Sequence, residues 1–176
     1  MGGVFGRIGK SFFINALFLL IALGLVFILV RGVDALSEDV LRRYETPNAR
    51  LTIVSDTRST MMIWCLVIFL TSWITSSLFL VSAERVRPDN RAQGASRLGL
   101  WVLLLIVTVA IVAFDVWFSL FRNSILVYLE TDAFGPALVG GILLSLLAYY
   151  LATGLAVKRT MRPSVPFGEA LPTFWS

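Results

Sequence analysis

Asp115 is the one charged residue inside four long apolar stretches of the chain, and any chemistry there begins with it. It stands six residues before Phe121, the end of the third stretch. At 1.5 Å of rise per residue that is about 9 Å inside the boundary. A carboxylate at the centre of a membrane helix costs roughly 2.5–3.5 kcal/mol on the insertion scale, and less at this depth. Such a group can relay a proton or cation, or it can form an ion pair that fixes helix register. It can also reach water through an outer vestibule and serve no specific task. Thr108 lies seven residues before it, Ser119 four after and Arg122 seven after. At 100° per residue these four make one polar stripe, expected to face the bundle interior. Arg31 and Arg122 are the two candidate cations on the same side. The favoured reading is an ion pair, with Arg31 or with a partner protein, because a transport path needs several polar stations and only one ionisable group lies within the hydrocarbon.

The other polar groups in the stretches are uncharged. Thr71, Ser72, Thr75, Ser76 and Ser77 crowd the second, and Asn15 lies near the start of the first. Hydroxyls of this kind cross-link helices at around 0.6 kcal/mol each, or line a polar cavity opposite Asp115; packing is the commoner role. The fourth stretch carries Ala137, Gly141, Ser145, Ala148, Ala152 and Ala156 at spacings of 4, 4, 3, 4 and 4. That puts small side chains on one seam, where another backbone can approach closely, from this chain or from another subunit. Leu143, Leu147 and Tyr150 form the opposite face, for lipid or a partner. Arg85, Arg87, Arg91 and Arg97 crowd the loop after the second stretch. There each contributes about 1 kcal/mol of attraction to anionic lipid; headgroup or partner binding is one reading and topology control alone the favoured one.

Several chemistries are excluded. The chain has no histidine and one cysteine, Cys65. A disulfide framework, a Cys-rich zinc site, a CxxCH haem attachment, a histidine-ligated metal and an imidazole base all fall away. Gly9-Lys10-Ser11 resembles the end of a phosphate-binding loop, but Val4 stands where that motif needs glycine and no strand precedes it. A hydrolase within the membrane would need a Ser–Lys or two-Asp site, while Lys10 and Lys158 lie at the inner face and only one Asp is submerged. The expectation is a chain that is not an enzyme and binds no cofactor or metal.

The elements that hold these residues follow from composition. The 176 residues are 57% hydrophobic and 15% charged, with a net charge of +4 and a mean hydropathy of +0.84. The apolar stretches cover about 12–31, 61–83, 99–121 and 136–157. Each is near or above the ~20 residues that cross ~30 Å of hydrocarbon as a helix. Helices are required because backbone amides find no water there. The first stretch is too long for a cleaved signal and reads as a retained anchor. Pro136 fits the first turn of the fourth helix. The expected fold is all-α: one domain, a polytopic membrane protein with four transmembrane helices in an antiparallel up-down bundle.

Lysine and arginine set the orientation. Nine accompany the termini and the 84–98 loop, and six accompany the 32–60 and 123–135 loops. Both termini, loop 84–98 and tail 158–176 are therefore expected in the cytoplasm, and loop 32–60 outside. Thirteen arginines against two lysines point to a GC-rich bacterial genome, hence a bacterial inner membrane. Trp64, Trp117 and Tyr128 are expected at the outer boundary, and Phe12, Phe13 and Trp101 at the inner one. In loop 32–60, Ser37-Glu38-Asp39 begins a short amphipathic helix, Pro47-Asn48 breaks it and Arg50–Val54 reads as extended. The loop is a docking surface or a lid on the bundle itself. Proline forbids a stable helix in the tail, whose aromatics suit a membrane surface or a partner.

The functional expectation is an accessory or scaffold subunit of a larger inner-membrane complex, without catalysis of its own. Its partners are the lipid bilayer and other membrane subunits or further copies of the chain, not nucleic acid. The alternatives are a small transporter or channel for protons or a small solute through Asp115, and a sensing module built on loop 32–60.

Overall fold

The computed structural model describes residues 3–32, 36, 38–85, 97–123, 131–157 and 159–171; the side chains of 39, 116, 119–123, 131–138, 159, 160 and 169 lie outside that description. Helix α1 spans Val4–Leu29, α2 Glu38–Arg43, α3 Pro47–Glu84, α4 Leu98–Asn123 and α5 Thr131–Ala156. Two 3-10 turns follow, Arg159–Ser164 and Gly168–Ala170. Four of the helices are long and apolar enough to cross a membrane, so this is a multi-pass helical membrane protein. The starts of α1 and α4 and the ends of α3 and α5 lie at one face, called the terminal face below. The other is the loop face.

Two sequence expectations are corrected at the loop face. Arg50–Val54 is helical, not extended, and belongs to α3. Pro47 does end the α2 segment, but it also starts α3, at a position where a proline's missing N–H costs no hydrogen bond. The merged helix has 38 residues. At 1.5 Å per residue it is about 57 Å long, nearly twice the hydrocarbon thickness. Its first turns therefore stand clear of the apolar layer.

The spans are not equivalent. α1 packs on α3 and α5, α3 on α4 and α5, and α4 on α5. α3 and α5 touch across the centre, while α1 and α4 occupy opposite corners. Burial agrees: 44% and 39% of the apolar windows of α3 and α5 are buried, against 17% for α1 and for α4. The hydroxyls of α3 and the small residues of α5 explain the short diagonal, because only small side chains let two backbones approach. The core has two parts. Val26, Val30, Met61, Cys65, Ile68 and Val112 fill the half nearer the loop face. Phe79, Leu80, Ala83, Trp101, Tyr149 and Ala156 fill the half nearer the termini.

Both ends of the bundle are capped by the chain itself. At the loop face Leu36, Val40 and Val54 are buried in the same cluster as Val30 and Met61, which favours the lid over the free docking surface. Two arginines hold this lid. Arg50 donates from Nε to the Tyr44 carbonyl at 2.6 Å and from Nη2 to that of Leu41 at 2.5 Å, at the end of α2. Arg58 Nη2 donates to the Val30 carbonyl at 2.7 Å, at the end of α1, and its guanidinium lies 5.1 Å from the Phe27 ring centre. Cations there meet the negative end of a helix dipole and carbonyls with no helical partner. Replacing Arg58 with glutamine is expected to cost about 1 kcal/mol. It should also speed protease cleavage between α1 and α3, read on gels against the wild type.

At the terminal face the tail folds back rather than lying free. Met161, Ser164 and Val165 are buried, and Met161 and Val165 join the cluster of Tyr149 and Leu80. Arg162 Nη1 donates to the Leu171 carbonyl at 2.8 Å, closing the tail into a loop. The prolines bar an α-helix there, and the short 3-10 turns are the remaining way to keep carbonyls paired. Phe174 and Trp175 lie outside the described residues.

Candidate functional site

The polar groups of the spans collect in the half of the bundle nearer the termini, and they join neighbouring helices in turn. Ser11 Oγ of α1 and Ser76 Oγ of α3 are 2.8 Å apart. Thr75 Oγ1 of α3 and Thr108 Oγ1 of α4 are 2.8 Å apart. Trp101 Nε1 of α4 donates to Thr153 Oγ1 of α5 at 2.8 Å, and Tyr149 Oη of α5 donates to the Trp101 carbonyl at 3.1 Å. Each threonine of this set also has a carbonyl four residues back within reach: Thr71 for Thr75, Leu104 for Thr108 and Tyr149 for Thr153. The hydroxyls are thus satisfied without water. They act as clips between α1 and α3, α3 and α4, and α4 and α5. Asn15 Nδ2 donates to the Ser11 carbonyl at 2.8 Å. Its Oδ1 and the Ser72 hydroxyl are buried with no hydrogen bond among the described residues. Below the layer, Arg7 of α1 and Glu84 of α3 form an ion pair of 2.5 Å. Arg97 donates to Ser82 Oγ at 3.0 Å, tying the start of α4 to α3.

The layer is closed toward the loop face. Val112, one turn beyond Thr108, is buried, and so are Ile68 and Cys65 on α3. An apolar cleft of about 70 Å³ opens beside them between α1, α3 and α5, lined by Ala22, Val26, Trp64, Ile68 and Gly141 among others. Trp64 and Trp101, expected near the outer and inner boundaries, both turn their side chains into the core. A submerged indole N–H favours an acceptor, which the Trp101 indole finds in Thr153, whereas those of Trp64 and Trp73 have none among the described residues.

The predicted stripe is only partly assembled. Thr108 faces the interior, fully buried. Asp115 is half-buried and forms no ion pair with Arg31. The reason is placement: Arg31 is exposed at the end of α1, in the corner across from α4. The side chains of Ser119 and Arg122 lie outside the described residues. The α5 seam, by contrast, is covered by the chain's own helices. Ser145, Ala148, Ala152 and Ala156 are buried, and a Cβ placed on Gly141 would stand 3.6 Å from Ile68 of α3. Ala137 has no described side chain. Leu143 and Leu147 are exposed as expected, whereas Tyr150 is half-buried with its ring edge to Trp101. Of the loop arginines, Arg85 is exposed, Arg97 is bonded to Ser82, and Arg87 and Arg91 lie outside the described residues. Among the described residues no group of three or more His, Cys, Asp or Glu side chains is placed to hold a metal ion.

The chain matches no known family model, no curated protein and no solved structure.

Proposed function

We propose that the protein is a non-catalytic accessory or scaffold subunit of a larger bacterial inner-membrane assembly, with its terminal face in the cytoplasm. The observation that carries this reading is the filled axis of the bundle. Tyr149, Phe79 and Leu80 are fully or almost fully buried at one level, and Val112 and Ile68 at another. Close-packed side chains leave no room for a hydrated path at the first level, and the cleft beside Ile68 at the second is lined by apolar groups. What the fold leaves open is its flanks: α1 and α4, at opposite corners, present most of their surface outward. The orientation is supported by the arginines themselves. Arg50 and Arg58, which run against the positive-inside trend, are engaged as helix caps.

The expected result is that the chain, extracted in a mild detergent, co-purifies with other subunits in constant proportion. A lone monodisperse monomer would count against the reading. A transporter for protons or a small polar solute is the second reading, favoured by the buried polar layer of Ser11, Asn15, Ser72, Thr75 and Thr108. Reconstituted in liposomes, an accessory subunit gives no flux above protein-free vesicles. A flux that Asp115→Asn abolishes would favour the transporter instead.

A further inference from the structure

Asp115 has no hydrogen-bond or ion-pair partner among the described residues. Hydrocarbon offers it none, so an ionised carboxylate here needs a donor from elsewhere. Its surroundings say what kind. Ile111, Asp115 and Phe118 follow one another at four and three residues, so they form one stripe on α4. The stripe runs along the margin of the face that Thr108 and Val112 bury. Ile111 and Phe118 are exposed, as is Phe114, which stacks on Phe118 with ring centres 6.0 Å apart. A half-buried acid therefore sits at the edge of an open aromatic face, in the half of α4 nearer the loop face.

None of the chain's own described cations at that face is paired with Asp115: Arg31 is in the opposite corner, Arg42 pairs with Glu38, Arg50 and Arg58 hold carbonyls, and Arg43 is exposed at the end of α2. Charge complementarity then calls for a cation from another polypeptide. An aromatic border suits it, because a guanidinium or ammonium is also attracted to ring faces. We propose that Asp115, with Ile111, Phe114 and Phe118, is the docking site for one transmembrane helix of a different subunit, which brings a Lys or Arg side chain to the carboxylate. The proposal rests on the accessory-subunit reading and supplies its point of attachment.

The test uses the full chain in its native membrane. A photo-crosslinking residue is placed at Phe114 or, as a control, at Leu143, which is exposed on α5. Extracts in mild detergent are run on native gels. The Phe114 crosslink should join the chain to one other subunit, through a membrane segment carrying Lys or Arg. Asp115→Asn should reduce that crosslink and the fraction in the larger assembly roughly tenfold or more, since removing one member of a desolvated charge pair leaves the other buried and unpaired. Asp115→Glu should retain both, and neither variant should shift the thermal unfolding midpoint of the isolated chain. The docking site is overturned if Asp115→Asn leaves crosslink and assembly intact. It is equally overturned if the crosslinked segment carries no cation, if the product is a dimer of this chain, or if Arg122→Leu reproduces the loss and so shows the acid to be served internally. The two levels fail differently. A wild-type chain that migrates alone refutes the accessory reading and the docking site with it; a wild-type assembly indifferent to Asp115→Asn refutes the docking site only.

Discussion

Replacing Tyr149 with alanine is expected to lower the unfolding free energy by about 3–5 kcal/mol, the range for deleting a large buried aromatic side chain. Tyr149 has no exposed surface, and its ring centre lies 5.3 Å from that of Trp101. The void left behind would be lined by Trp101 and Leu80 and would not collapse, since α4 and α5 are already held together by the Trp101–Thr153 bond. Lipid cannot refill it from the side. Tyr149→Phe keeps the ring and loses only the bond to the Trp101 carbonyl, so its cost should be about 1 kcal/mol. Leu143→Ala, on the exposed face of α5, should cost little, because a lipid chain replaces the lost contacts. Denaturant or thermal unfolding in detergent, followed by tryptophan fluorescence, ranks the three. Equal costs for Tyr149→Ala and Leu143→Ala would mean that α5 is rotated away from the orientation described.

The second large effect is expected from the opposite change. Ala152 has no exposed surface and sits on the seam of α5. Ala152→Leu forces a branched side chain between closely packed helices, and overpacking of this kind costs about 2–3 kcal/mol. The loss should appear in the isolated chain, independent of protein concentration, because the seam is covered from within the bundle. A variant that kept its thermal midpoint but dissociated from an assembly would show instead that the seam belongs to an interface with another subunit. The two experiments together separate internal packing from docking, which the Asp115 variants address on α4.

How much of this was legible in advance differs by feature. The six seam positions were read from their 4-4-3-4-4 spacing, and the four of them with a described side chain beyond glycine are buried. That pattern is local to one helix, so a single sequence carries it. The partner of the seam was not legible, since small residues mark a close approach without naming the helix that approaches. Asp115 stood out because a charge in hydrocarbon is costly whatever surrounds it. Of the two candidate cations read from sequence, Arg31 lies in the opposite corner, because counting residues gives depth and not the position of one helix around the bundle, and the Arg122 side chain lies outside the described residues. The 3-10 tail was missed for a related reason. Its prolines bar an α-helix, but the burial of Met161 and Val165 depends on a groove that exists only once α3, α4 and α5 are assembled.

By itself the amino-acid order determined the number of spans, their helical nature and their up-down succession. Lipid permits few answers: each apolar stretch of sufficient length must pair its own amides, and each polar segment must leave the layer. Those constraints act along one dimension and read directly from the chain. Tertiary structure decided the rest: that α3 and α5 form the short diagonal, that Ser11 meets Ser76 and Thr75 meets Thr108, and that Trp101 turns inward to Thr153. Those pairings depend on the rotation of every helix about its own axis. In a medium as apolar as the side chains themselves, that rotation is settled by packing and by the few hydrogen bonds available, all of which involve residues distant in the chain.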